Sequence, residues 1–190
     1  MDNKGLTLKS YVHYFSTICP NAFWNGSVMT YCTLFPHDDV AGHEISHGVT
    51  EFSSKLVYAY QPGALNESFS DIFGETIDLL NASENEPDSR WQIGEGIAPG
   101  GLRNMYDPSV FGDPHSTDDP NYSCAASDNG GVHTNSGVPN RAYAWMVDGG
   151  TDNGITVQGI GLTRASAIAL TRSQAKPKWC TPTTRSFDAP

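Results

Sequence analysis

Residues 43–71 read HEISHGVTEFSSKLVYAYQPGALNESFSD: two histidines flank a glutamate, and a second acidic group follows about a helix length later. If the first of these segments is helical, His43 and His47 sit one turn apart, about 40° offset and about 6 Å along the axis. Both imidazoles then face one way and can meet a single cation. Glu44 lies about 100° round the helix from His43, beside such a cation rather than on it, where a carboxylate can take a proton from water. Zinc suits this set, because it accepts imidazole nitrogen and carboxylate oxygen, prefers four ligands, and in catalysis keeps one position for water. A third protein ligand is then required. Glu67, Asp71, Gly74 and Asp78 are spaced four, three and four, a narrow polar stripe on a second helix. Glu67 can supply the carboxylate, and Asp71 can hold the far ring nitrogen of a ligand histidine. Gly74 lets the two helices approach closely. Alone, the stripe reads as a solvated helix face; together with two histidines at ligand spacing it reads as half of a metal site.

These groups need two helices to carry them, and the chain signals both. Asp38 and Asp39 suit a helix N-terminus, where carboxylates meet free N–H groups, and the helix then runs through about Phe52. A second helix is expected over 62–80, with Pro62 in its first turn and Leu65, Phe69, Ile72, Phe73, Ile77 and Leu80 at spacings of three and four. Upstream, Leu6, Leu8, Val12 and Tyr14 alternate as in a strand, and Asn25-Gly26 signals a two-residue hairpin. Residues 81–130 are rich in Gly, Pro, Asn, Asp and Ser and read as long functional loops. A third helix follows Ser136 and stops at Gly149-Gly150; a fourth starts near Thr163. Strands first and helices after predict an α+β fold with segregated halves.

Bulk properties narrow the partners. The 190 residues are 38% hydrophobic and 17% charged, enough for a buried core, and the net charge of -10 repels nucleic-acid phosphates and anionic membranes. The acidic surplus also suits calcium, which takes clustered oxygen ligands. No apolar run is long enough to span a bilayer, and the N-terminal residues lack the pattern of a signal peptide. Cys19, Cys32, Cys124 and Cys180 show no two-residue spacing, which argues against a cysteine zinc cluster. Two disulfides, in any of three pairings, and four free thiols both stay open.

The segments NAFWNG, HEISH, GALNESFSDIFGE, WQIGEG, LRNMYDP and DNGGVHTNSGVPNRAYAW, in that order, resemble the thermolysin family of zinc metalloendopeptidases along nearly the whole chain. The resemblance implies a zinc site in a cleft between an N-terminal β-lobe, here its last part (1–37), and a mainly helical lobe. The two zinc-site helices would occupy 38–80, loops with calcium and substrate contacts 81–130, and a shortened helical lobe 131–190. It implies His43, His47 and Glu67 as zinc ligands and Glu44 as the base that activates a zinc-bound water. Asp71 and Asn66 would orient the two histidines. His133, oriented by Asp128, and Tyr58 would assist at the oxyanion. Asn21, Ala22 and Arg103 would hold the substrate main chain, and Val40, Ile93 and Leu102 would wall an apolar pocket for the residue after the scissile bond. Asp39, Asp78 and Glu95 match calcium ligands, but Arg90 and Gln92 replace carboxylates, so one calcium site at most is implied. The implied protein is a secreted, monomeric enzyme acting on peptides or proteins, with no nucleic-acid or membrane partner. Because the family's catalytic unit is longer, a zinc-bound structural or peptide-binding module without turnover is the competing expectation. A metal-dependent hydrolase of another bond, such as an acyl ester, is a third.

Overall fold

A computed structural model describes residues 4–81 and 89–175; Cys180 and the end of the expected helical lobe lie outside them. Three short strands open the fold: β1 (Ser10–Tyr14), β2 (Ala22–Trp24) and β3 (Met29–Cys32), in the spatial order β1-β3-β2. β3 is parallel to β1 and antiparallel to β2, so β2 is an edge. The disulfide Cys19–Cys32 ties the β1–β2 connection to the end of β3.

Two sequence expectations change here. The strand begins at Ser10, not Leu6, and Leu6, Leu8, Val12 and Tyr14 are all exposed. His13 has a left-handed φ of 55°, and the register slips between Tyr11 and Tyr14, which breaks the alternation. The β2–β3 connection is a loop over 25–28, not a two-residue turn: Trp24 pairs with Met29. The Asn25 side chain accepts the N–H groups of Ser27 and Val28, each at 3.0 Å, and so organises a longer loop than its sequence signal implies.

Helix α1 (Asp38–Phe52) starts on its two aspartates as expected, and α2 (Tyr60–Asn81) begins two residues before Pro62. The helices cross in close contact because a Cβ on Gly74 would stand 2.3 Å from the Asp39 carbonyl oxygen. Much of what α2 buries is polar: Asn66, Glu67, Ser68, Ser70, Asp71 and Glu75 are buried, whereas Leu65, Ile77 and Leu80 are exposed. So many buried polar groups are sustainable only if they find partners. Ile72 on the other side joins Trp91, Ile93, Met105, Tyr143, Ala144 and Val147 in the main apolar core. A smaller cluster of Met29, Tyr31 and Val40 joins the sheet to α1.

Within 89–127, β4 (Gln92–Ile93) pairs antiparallel with β5 (Arg103–Asn104), and a 3-10 turn covers Pro108–Phe111. Helices α3 (Asp128–Asn135), α4 (Gly137–Asp148) and α5 (Leu162–Ser173) complete the α+β fold, with the hairpin β6 (Gly149–Asp152) and β7 (Ile155–Gln158) between the last two. No helix among the described residues is long and apolar enough to cross a membrane.

Candidate active site

α1 brings His43 and His47 to one side with their Nε2 atoms 3.0 Å apart. α2 sets the Glu67 carboxylate 3.5 Å from the first and 3.4 Å from the second. Two donors on a tetrahedral zinc ion at about 2.0–2.1 Å lie about 3.3–3.4 Å from each other, so these separations are those of ligands. Among the described residues this is the group of His, Cys, Asp or Glu side chains whose donor atoms converge within 4.8 Å. Asp39, Asp78 and Glu95 do not converge in that way.

The far ring nitrogens decide the fit. His43 Nδ1 is 2.9 Å from Asp71 Oδ1, and His47 Nδ1 is 2.8 Å from Asn66 Oδ1. Both partners are acceptors, so each ring carries a hydrogen on Nδ1 and turns its Nε2 to the other ring and to Glu67. Glu67 Oε2 is buried with no hydrogen-bond partner. Two imidazole nitrogens and a carboxylate facing one another in a buried space need a positive charge among them, a proton on His43 in the metal-free chain or a metal ion in its place. The charges agree: burial works against an ionised Glu67, yet His43, His47 and His133 hold its carboxyl below the usual range. Burial also opposes a charged His43, but the Asp71 hydrogen bond and the Glu67 charge outweigh it and raise that ring. His47 is pushed down by burial and by its charged neighbour.

Glu44 is buried beside the triad and outside it. The Trp24 backbone N–H hydrogen-bonds to its carboxylate, while Oε2 has no partner. Burial, and then the Glu67 charge, raise its carboxyl above the ordinary value despite the opposing charge of His43. A carboxylate that holds a proton more readily than usual is suited to accept one from water.

On the opposite wall, Asp128, Asn129, Gly130 and Gly131 all have left-handed φ. A Cβ on Gly130 would collide with the Tyr60 ring at 2.3 Å and one on Gly131 with Ser123 at 2.6 Å, so the paired glycines are required. This turn delivers His133, whose Nδ1 lies 2.6 Å from Asp128 Oδ1 and whose Nε2 lies 3.5 Å from Glu67 Oε2. The Tyr58 hydroxyl donates to Glu67 Oε1 and sits 3.3 Å from His133 Nε2. Burial and Glu67 raise the Tyr58 phenol well above its usual value, so it stays a donor.

A cleft of about 930 Å³ joins these groups, lined by residues 21–26 of the edge strand and by His43, Glu44, His47, Glu51, Phe52, Lys55, Leu56, Tyr58, Asn66, Glu67 and His133. Asn21 and Ala22 are part of this lining. Arg103 is not in the lining; it bonds Asp71 through Nε at 2.9 Å and through its terminal nitrogen at 2.5 Å. Val40 and Ile93 belong to the two separate apolar clusters, and Leu102 is exposed against Gly94, so the three do not form a common wall of this cleft.

Sequence reading missed Trp24, Asn140 and Glu75. Asn140 Nδ2 donates to Asp71 Oδ2 at 2.8 Å. Glu75 lies one turn beyond Asp71 on the same stripe, a spacing that marks it. It is fully buried, with Oε1 accepting the Trp91 N–H at 2.5 Å and Oε2 unpartnered. Asp39 spends its oxygens on the N–H groups of Val40 and Gly94. Arg90, expected to oppose a calcium ion, reaches instead to Asp148 at 2.6 and 2.8 Å. The orphaned oxygens of Glu75 and Glu95 are donors of the type calcium takes.

Burial raises the Glu75 carboxyl to about 8 and that of Glu95 to about 7. Unfolded, both titrate near about 4.3. Between these values the native chain keeps protons that the unfolded chain releases, so stability falls as pH rises from about 5 to about 8. In chelator the urea midpoint is expected to drop across that window, and Glu75→Gln to flatten the drop. A midpoint that climbs with pH contradicts it.

An H-E-x-x-H helix, a glutamate ligand on the neighbouring helix and a free carboxylate beside them define a metallopeptidase type of centre. The model of the thermolysin metallopeptidase alpha-helical domain matches residues 54–187, and that of the thermolysin metallopeptidase catalytic domain matches residues 1–51. The chain belongs to the thermolysin metallopeptidase family. It is 46% identical over 159 residues to a zinc metalloproteinase of Renibacterium salmoninarum, covering 79% of this chain and 29% of that protein. It is 45% identical to bacillolysin of Bacillus cereus and 41% identical to thermolysin of Alicyclobacillus acidocaldarius subsp. acidocaldarius. Each match covers 88% of this chain, and 31% and 32% of those proteins respectively. The chain thus spans about a third of the length of the curated relatives it matches. Among solved structures, the precursor of protealysin, a metalloproteinase from Serratia proteamaculans, superposes with a TM-score of 0.62 at 33% identity, over 93% of this chain and 66% of that one.

Proposed function

We propose that this chain carries the centre of a zinc-dependent endopeptidase that hydrolyses peptide bonds, with an apolar residue favoured after the scissile bond. The observation that carries the reading is the convergence of His43 Nε2, His47 Nε2 and a Glu67 carboxylate oxygen, next to the unpartnered Oε2 of Glu44. His43, His47 and Glu67 would hold the ion, which when bound acidifies water and polarises a carbonyl. Glu44 takes the proton of the attacking water and hands it to the leaving amine. Tyr58 and His133, the latter held by Asp128, donate to the developing oxyanion. Removal of one such donor costs about 2.7–4 kcal/mol of transition-state stabilisation.

The edge strand supplies the substrate bed. Cys32 N–H bonds to Asn21 O and Asn25 N–H to Val28 O, which fixes the phase of the ladder. Alternation then turns the backbone groups of Ala22 and Trp24 to the free edge, facing the cleft, where their carbonyl oxygens, and the Ala22 N–H once it leaves Asn21 Oδ1 at 2.9 Å, can meet an extended peptide adding as a strand. The Asn21 side chain lines the same edge, and Arg103 and Leu102 lie on β5 and the residue before it, anchored to the ligand helix through Asp71. The apolar preference rests on the family likeness. An extracellular site of action belongs to the same proposal, and the Cys19–Cys32 disulfide supports an oxidising compartment.

Cleavage of a quenched peptide with an apolar residue after the scissile bond is expected to stop in chelator and return with one equivalent of zinc. Stoichiometric zinc uptake without chelator-sensitive cleavage would instead make the chain a zinc-bound module.

A further inference from the structure

Past the metal triad the cleft continues along the C-terminal turn of α1, where Glu51, Phe52 and Lys55 form its lining opposite Trp24, Asn25 and Gly26. The two charged groups there differ in their engagement. Glu51 Oε2 accepts the Trp24 indole N–H at 2.7 Å. Lys55 is exposed, and its ammonium meets no carboxylate at ion-pair distance among the described residues, although Glu51 lies only four positions before it.

Lys55 also sits on unusual backbone. Its φ is 57°, and its N–H closes the end of α1 on Thr50 O at 2.8 Å. Glycine would take this left-handed position without steric cost, so a lysine here spends conformational energy to place its side chain at the cleft.

The direction of a bound peptide gives that charge a partner. A peptide adding antiparallel to β2 runs from the Trp24 end towards the Ala22 end. Its residues before the scissile bond then lie along Trp24, Glu51 and Lys55, and those after it lie towards Asn21. We propose that Lys55 is a specificity residue that receives a carboxylate side chain, aspartate or glutamate, from the part of the substrate on the amino side of the scissile bond. The inference rests on the peptidase reading for its numbering of the substrate, but charge recognition at the cleft is measurable without turnover.

The test uses matched peptides in which one glutamate, or glutamine in its place, is moved through four positions before and two after the expected scissile bond. Binding is followed by fluorescence anisotropy on zinc-loaded Glu44→Gln protein, and cleavage on the native chain. The glutamate peptide is expected to bind about two- to fivefold better than its glutamine twin at one position on the amino side, the scale of a partly exposed ion pair. Lys55→Gln should erase that ratio, and 0.5 M salt should shrink it. An equal ratio in Lys55→Gln, no charge preference at any position, or a preference confined to the carboxyl side overturns the proposal. Charge-dependent binding with no cleavage sinks the peptidase reading and leaves Lys55 as the recognition group.

Discussion

Glu44→Gln is expected to keep one zinc per chain and to lose at least about a hundredfold in kcat, the scale of a general base removed from a proton-transfer step. The amide fills the same volume and can still accept the Trp24 N–H, so the edge strand keeps its place. None of the three converging donors belongs to residue 44, so metal affinity has no reason to fall. What disappears is the basic lone pair at the unpartnered oxygen, where a proton must be received. Folding stability should hold, because a buried carboxyl with an unpartnered oxygen is exchanged for a neutral group. KM for the peptide should move little, since Glu44 makes no contact that a bound ground state needs. Zinc content by atomic absorption, the urea midpoint and kcat are read on one preparation. Turnover retained within tenfold at full zinc content removes Glu44 from the role of base; lost zinc places it among the ligands.

What the sequence revealed of this site was set by how local each signal is. The triad was readable because two of its ligands lie one helical turn apart and the third shares a period with Asp71 and Gly74. That Asp71 holds a ligand histidine followed from its place one turn after Glu67; its pairing with His43 in particular, and those of Asn66 with His47 and Asp128 with His133, came from the family likeness, and the structure contains all three contacts. Arg103 on Asp71, Asn140 on Asp71 and Trp24 on Glu44 join segments far apart in the chain, and no periodicity announces them. Glu75 was legible in principle, four residues after Asp71, but a polar stripe is usually solvated and this one is buried. Turn chemistry misled in both directions. Asn25-Gly26 has the strongest hairpin signal yet makes a longer loop, because the Asn25 side chain caps two N–H groups. Asn153-Gly154 forms the true two-residue hairpin between β6 and β7, both residues at positive φ, and went unread.

Asp71→Ala is expected to destabilise the metal-free chain by about 3–5 kcal/mol, the penalty of leaving a buried charge without its partner. Asp71 is fully buried, and its two oxygens take four contacts: His43 Nδ1 at 2.9 Å, Arg103 at 2.5 and 2.9 Å, and Asn140 at 2.8 Å. Despite burial, Arg103 and His43 hold the carboxyl well below the usual range, which places its ionised form at the centre of this network. Truncation strands the Arg103 guanidinium, only 17% exposed, and leaves the Asn140 amide without an acceptor. It also frees the His43 ring to rotate and to change tautomer, so zinc affinity should fall about 10–100-fold as for other lost orienting partners. The two effects separate in a double variant. Adding Arg103→Met to Asp71→Ala removes the stranded charge and should return much of the stability, yet it offers His43 no acceptor and should not return the zinc affinity. Urea midpoints in chelator give the first quantity, and competition against a chromophoric chelator gives the second. A loss of stability below about 1 kcal/mol, the range of exposed pairs, would mean that Arg103 reaches solvent when its partner is gone. Zinc affinity recovering together with stability in the double variant would mean that Asp71 acts on the metal site through packing rather than through the His43 hydrogen bond.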